Sequence, residues 1–107
     1  MGAETKARKL GLLVSAAPDR PNFNHGLQLA DAALQGQIAV YLYLIDEGVP
    51  GIDHPTVQAF RKRGLHLFAC AFGAKKRNLT TDDRATWVGL ATASDLIAST
   101  DRFVSFN

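Results

Sequence analysis

At 107 residues the chain has the length of one domain with one core, which excludes a two-domain arrangement. Apolar residues make up 47% and charged residues 21%, the balance of an ordinary folded domain rather than of a disordered or low-complexity segment. Lys and Arg number 12 against 10 Asp and Glu, a net charge of +2, which is too even for direct nucleic-acid binding.

The longest apolar run, Ile38 to Ile45, is far shorter than the roughly 18 residues of a spanning helix, so no membrane role is expected. Residues 1–8 read as an N-terminal tail, and residues 9–107 as a single α/β domain. The tail is basic at Lys6 and Arg8, followed by Lys9, but the apolar stretch behind it breaks at Ser15 and Pro18, too early for a secretory signal. A cytoplasmic protein is expected. The one cysteine, Cys70, permits neither an intramolecular disulfide nor a CxxC pair nor a cysteine-rich zinc site. No metal site is expected.

Leu10 to Val14 is short and aliphatic and runs into Ser15 to Pro21, which predicts a buried strand and a loop. From Phe23, the apolar positions Leu27, Ala30, Ala33 and Leu34 recur at helical spacing, predicting an amphipathic helix that ends near Gly36. Ile38 to Ile45 is apolar at every position, as in a central strand covered on both faces. Asp46 to His54 reads as loop, with Pro55 opening a helix to Arg63 that Gly64 stops. Leu65 to Cys70 is a third strand. Ala71 to Arg77 follows as a short helix with Asn78 as its left-handed cap. Thr80 and Asp83 match a capping box. Trp87 to Leu90 reads as a strand, Thr92 to Ser99 as a helix and Arg102 to Phe106 as a last strand.

This alternation predicts a three-layer α/β/α domain with a mainly parallel sheet of about five strands. Such sheets carry their ligands and reactive groups at the carboxyl ends of the strands, here Ser15 to His25, Ile45 to His54 and Cys70 to Asn78. Cys70 stands where the third strand hands over to a helix, a position that favours thiolate. The competing reading is a buried, inert thiol. Lys75, Lys76 and Arg77 form either an anion-docking or partner-docking patch or a solvated helix end. His66 is separated from Cys70 by about 13 Å of strand and is not its direct base. His25 and His54 lie on the other strand-end loops, as candidate pocket or capping residues. Asp46 and Glu47 are candidate pocket carboxylates. A receiver-type phosphorylation site lacks its acidic pair after the first strand, where Ser15-Ala-Ala stands, and no phosphate-binding glycine loop follows that strand.

The segment Cys70-Ala-Phe-Gly-Ala-Lys-Lys-Arg-Asn-Leu79 resembles the active-site segment of the DsrE/TusD family (DsrE/DsrF-like) of sulfur-relay proteins. In that family a cysteine is followed by small residues, a basic stretch and Gly-Val. Leu44-Ile-Asp-Glu-Gly-Val49 is similar to the family's Asp-Gly-Val segment, and Asp95 to Phe106 to its closing helix and strand. The resemblance spans residues 9–107 and departs from the family at Asn78, where Gly is usual, and in the loop 17–24.

The resemblance implies a Rossmann-like fold and a sulfur carrier or sulfurtransferase holding a persulfide on Cys70, without cofactor. It also implies sulfur donor and acceptor proteins as partners and a homo- or hetero-oligomer, trimer or hexamer. On this reading Cys70 is a half-exposed thiol, and apolar residues such as Phe23, Phe103 and Trp87 are covered by self-association. The alternatives are a non-catalytic assembly subunit of such an oligomer, or a small nucleotide- or flavin-binding domain.

Overall fold

The computed structural model describes residues 8–107, so the assigned tail, Lys6 included, lies outside the described residues apart from Arg8. Strand β1 (Lys9–Val14) leads into helix α1 (Pro21–Gln35), then β2 (Ala39–Leu44), a 3-10 segment (Asp46–Asp53) and α2 (Pro55–Lys62). The chain continues through β3 (His66–Cys70), α3 (Ala71–Lys76), β4 (Thr86–Val88), α4 (Leu90–Ser99) and β5 (Arg102–Phe106). The five strands form one sheet in the order β4-β3-β2-β1-β5, with every pair parallel. The fully apolar run is therefore the middle strand, β2, as its composition predicts.

Strand alternation divides the core between the two faces. Leu10, Leu12 and Val14 of β1, with Val40, Leu42 and Leu44 of β2, pack against Phe23, Leu27, Ala30 and Ala33 of α1 and Val57 and Phe60 of α2. The opposite face carries Tyr41, Tyr43, Phe68, Cys70 and Phe103 under Ala74 of α3 and Ala93 and Leu96 of α4. This second layer is thin, because α4 buries only Leu96. Phe72, Leu90, Ile97 and Val104 stay exposed.

That pattern corrects the expected exposed set: Phe23 is fully buried beneath α1, while Trp87 and Phe103 are half-buried. Phe23 belongs to the helical stripe facing the sheet, so its size went into the core.

Local signals held in most places and shifted in some. α1 starts at Pro21, whose fixed φ suits the first helical position. Its left-handed terminator is Gln37 (φ 64°), with the Ile38 amide donating to the Ala33 carbonyl, while Gly36 keeps a negative φ. Asn78 takes φ 54° and caps α3 as expected, with Leu79 N donating to Ala74 O at 2.9 Å.

The expected loop 46–54 is a 3-10 coil, closed by bonds such as Gly48 N to Ile45 O at 2.8 Å. No helix starts at Thr80. The Asp82 carboxylate instead binds the Arg84 backbone amide and guanidinium, and Arg84 also pairs with Asp53, tying this loop to the 3-10 coil. α4 begins at Leu90, two residues before the expected start, since β4 is only three residues long.

Candidate functional site

The carboxyl end of β3 delivers Cys70 into the N-cap position of α3, with φ −72° and ψ 116°. Its Sγ accepts the backbone N–H of Gly73 at 3.4 Å, the one hydrogen bond the thiol makes among the described residues. The thiol is 5% exposed, packed with Tyr43, Val49 and Ala74, which corrects the expectation of a half-exposed group. The reason is tertiary: Val49 of the 3-10 coil and Tyr43 of β2 pack around the thiol together with Ala74 of α3.

Tyr43, one strand away on β2, is fully buried, and its phenol donates to the Gly89 carbonyl at 2.8 Å. Burial pushes that phenol up to about 12, with the charge of Cys70 as a lesser cause. Tyr43 is thus a protonated donor near neutral pH and not a base for the thiol.

Arg77, just past α3, turns back towards the site instead of out to solvent. One guanidinium nitrogen donates to Gly73 O at 3.2 Å and another to Glu47 Oε1 at 2.7 Å. Arg77 and Glu47 are thereby brought together beside the Cys70 segment. Lys75 and Lys76 are exposed and make no ion pair among the described residues.

Asp46 is exposed at the start of the coil with φ 49°, and the next residue, Glu47, is the one paired with Arg77. Gly48 then crosses β1 so closely that a Cβ there would lie 2.4 Å from the Val14 carbonyl oxygen. Only glycine fits this crossing.

The histidines are elsewhere. His25 is exposed on α1, with Nδ1 3.0 Å from Asn22 Oδ1. His54 caps α2 by accepting the Thr56 amide at 3.2 Å. His66 stacks on Tyr41 at a centroid distance of 4.5 Å. None bonds to Cys70 among the described residues.

A second feature lies at the first of the expected strand ends, Ser15 to His25. Beyond the carboxyl ends of β1 and β5 lies an open crevice of about 730 Å³, lined among others by Ser15, Asp19, Arg20, Asn22, Glu47 and Asn107. Glu47 is shared with the Arg77 pair, but Cys70 does not line it. Ala17, Asp19, Arg20, Pro21 and Asn22 form one wall, and the segment expected as loop 17–24 is helical from Pro21, the first residue of α1. No group of three or more His, Cys, Asp or Glu side chains is placed to hold a metal ion among the described residues, and no described helix is long and apolar enough to cross a membrane.

Comparison with known proteins identifies the architecture. No family model matches the chain, and no curated protein matches it by sequence. The ychN protein from E. coli superposes with a TM-score of 0.78 at 14% identity, covering 94% of this chain and 100% of that one. A conserved protein of unknown function from Bacteroides thetaiotaomicron, BT1422, superposes with a TM-score of 0.71 at 16% identity, covering 92% of this chain and 94% of that one. At such identities the likeness shows the fold. The chain has a Rossmann-like three-layer α/β/α fold with an all-parallel sheet.

Proposed function

We propose that this chain is a sulfur carrier or sulfurtransferase of the DsrE/TusD type, holding a persulfide on Cys70 and passing sulfur between partner proteins in transfer-RNA thiolation or sulfur oxidation. The observation that carries this reading is the place of the chain's one thiol, at a carboxyl strand end with the Gly73 amide aimed at its sulfur. The resemblance of residues 70–79 to the family's active-site segment supports it, as does a fold shared with the ychN protein over 94% of the chain.

In the proposed exchange the Cys70 thiolate attacks the outer sulfur of a donor persulfide R–S–SH. The donor S–S bond breaks, R–S⁻ leaves and takes up a proton, and Cys70 carries –S–SH. An acceptor thiolate then attacks that outer sulfur, the new bond breaks, and the Cys70 thiolate returns. No net oxidation occurs, so neither oxidant nor reductant is needed. The Gly73 N–H offers its hydrogen bond to the anionic sulfur at each stage. Lys75 and Lys76, exposed at the end of α3, supply a positive edge for acidic donor and acceptor proteins, while Arg77 is held inward by Glu47. At 5% exposure the thiol cannot meet a donor unless α3 moves, so partner docking must shift this six-residue helix. A cytoplasmic location and a trimeric or hexameric assembly belong to the same proposal.

Incubation with a cysteine desulfurase and cysteine, or with polysulfide, is expected to add about 32 Da per chain, removable by reductant and absent from Cys70→Ser. Failure to load where a known carrier loads would sink the proposal.

The burial of Cys70 favours a second reading, a non-catalytic assembly subunit. Native thiol titration separates the two. Labelling that needs denaturant supports the subunit, and labelling of the folded chain supports the carrier.

A further inference from the structure

The crevice beyond β1 and β5 plays no part in the exchange at Cys70. Its volume of about 730 Å³ falls within the roughly 300–1,000 Å³ of small-molecule sites. It lies where the sheet changes direction, since the chain runs from β1 through β2 and β3 to β4 and then returns to place β5 on the other side of β1. Doubly wound sheets bind ligands at this point because the flanking connections diverge there.

Its walls are tied together. Ser15 Oγ donates to Asn107 Oδ1 at 2.8 Å, and Asn22 Nδ2 donates to the Asn107 carbonyl at 2.7 Å, which joins the residue after β1, the first turn of α1 and the residue after β5. Ala16, Ala17 and Pro21 add apolar surface.

The charges on the lining have both signs. Arg20 and Asp19 have no ion-pair partner among the described residues, and Glu47 shares its carboxylate with Arg77. Arg20 stands at the start of α1, whose first turn holds no acidic residue and no side-chain cap. A simple anion would meet Asp19 and Glu47, and a simple cation would meet Arg20. A ligand with both charges, separated by a short backbone, satisfies both.

We propose that this crevice binds a zwitterionic peptide of two or three residues, its carboxylate on Arg20 and its ammonium on Asp19 and Glu47. The inference goes beyond the Cys70 reading and stands or falls separately from it.

The test is an NMR titration of the full chain with triglycine, N-acetyl-triglycine and triglycinamide. Triglycine is expected to shift the amide resonances of Ala16, Ala17, Asn22 and Glu47 saturably, and blocking either end to weaken binding at least about tenfold, as loss of a charge-assisted hydrogen bond does. Arg20→Ala, at an exposed position, should bind triglycine and triglycinamide alike. Asp19→Asn, also exposed, should narrow the gap between triglycine and its N-acetyl form. The proposal is overturned if triglycine gives no saturable shift at on the order of 10 mM, if the three peptides bind equally to the native chain, or if Arg20→Ala keeps full discrimination.

Discussion

Arg77 bridges Gly73 and Glu47, holding the carbonyl of one at 3.2 Å and the carboxylate of the other at 2.7 Å, so a single side chain straps α3 to the coil that follows β2. The same Gly73 residue donates its N–H to Cys70, which places the strap one peptide unit from the sulfur. Arg77→Ala should therefore loosen α3 and speed native labelling of Cys70 several-fold, while costing no more than about 1 kcal/mol in unfolding, since Glu47 is largely exposed and such pairs are screened. Unchanged labelling kinetics would show that the strap does not control access.

Cys70→Ser should abolish sulfur loading and remain folded. The hydroxyl can still accept the Gly73 N–H, but it is more polar and sits in a site that is 5% exposed, so a loss of about 1–3 kcal/mol is expected. Urea unfolding beside mass spectrometry of the treated protein gives both readouts. A loss well above that range would mark the residue as structural.

Alkaline pH should act through Tyr43. Its phenol titrates near 10.0 when unfolded and is pushed to about 12 by burial. The folded chain thus holds this proton more tightly, so the contribution is fully present below about pH 10 and is lost as pH rises towards 12. Tyr43→Phe should flatten that alkaline decline while costing about 1–3 kcal/mol at neutral pH, because the Gly89 carbonyl loses its donor. Denaturant midpoints measured across this range decide it.

Gly48→Ala should lower thermal stability sharply. The new Cβ would overlap the Val14 carbonyl oxygen, and relief requires moving the 3-10 coil off β1 at a cost of about 1–3 kcal/mol. Because that coil carries Glu47 and Val49, the variant should also expose Cys70 to labelling. A melting curve like that of the native chain would mean the coil has more freedom than its packing indicates.

Self-association should run through the thinly covered face. Phe72, Leu90 and Ile97 are exposed at 72%, 69% and 54%, on α3 and α4. Light scattering at micromolar concentration is expected to give a mass above the monomer, and Ile97→Glu to reduce it. A native chain that scatters as a monomer, with no partner subunit present, removes this expectation.

The elements themselves were readable because their signals are local. An all-apolar run between two glycine- and proline-marked breaks yields the middle strand β2, and three-and-four spacing from Phe23 yields α1 and its buried stripe. Proline at the start of α1 and α2, and Asn78 at the end of α3, act through the dihedral angles of one residue. Cys70 could be placed at a strand end for the same reason.

The burial of Cys70 could not be read this way, because it depends on Val49 and Tyr43 arriving from other segments. Nor could the inward turn of Arg77, whose partner Glu47 lies 30 residues away in sequence, nor the far wall of the crevice, which stands only because β5 returns to the far side of β1 and sets Asn107 beside Ser15, 92 residues earlier. Composition and periodicity specify which faces must be buried, but hydrophobic burial is non-directional, and which buried faces meet is decided by the sheet order and chain crossings of the whole domain.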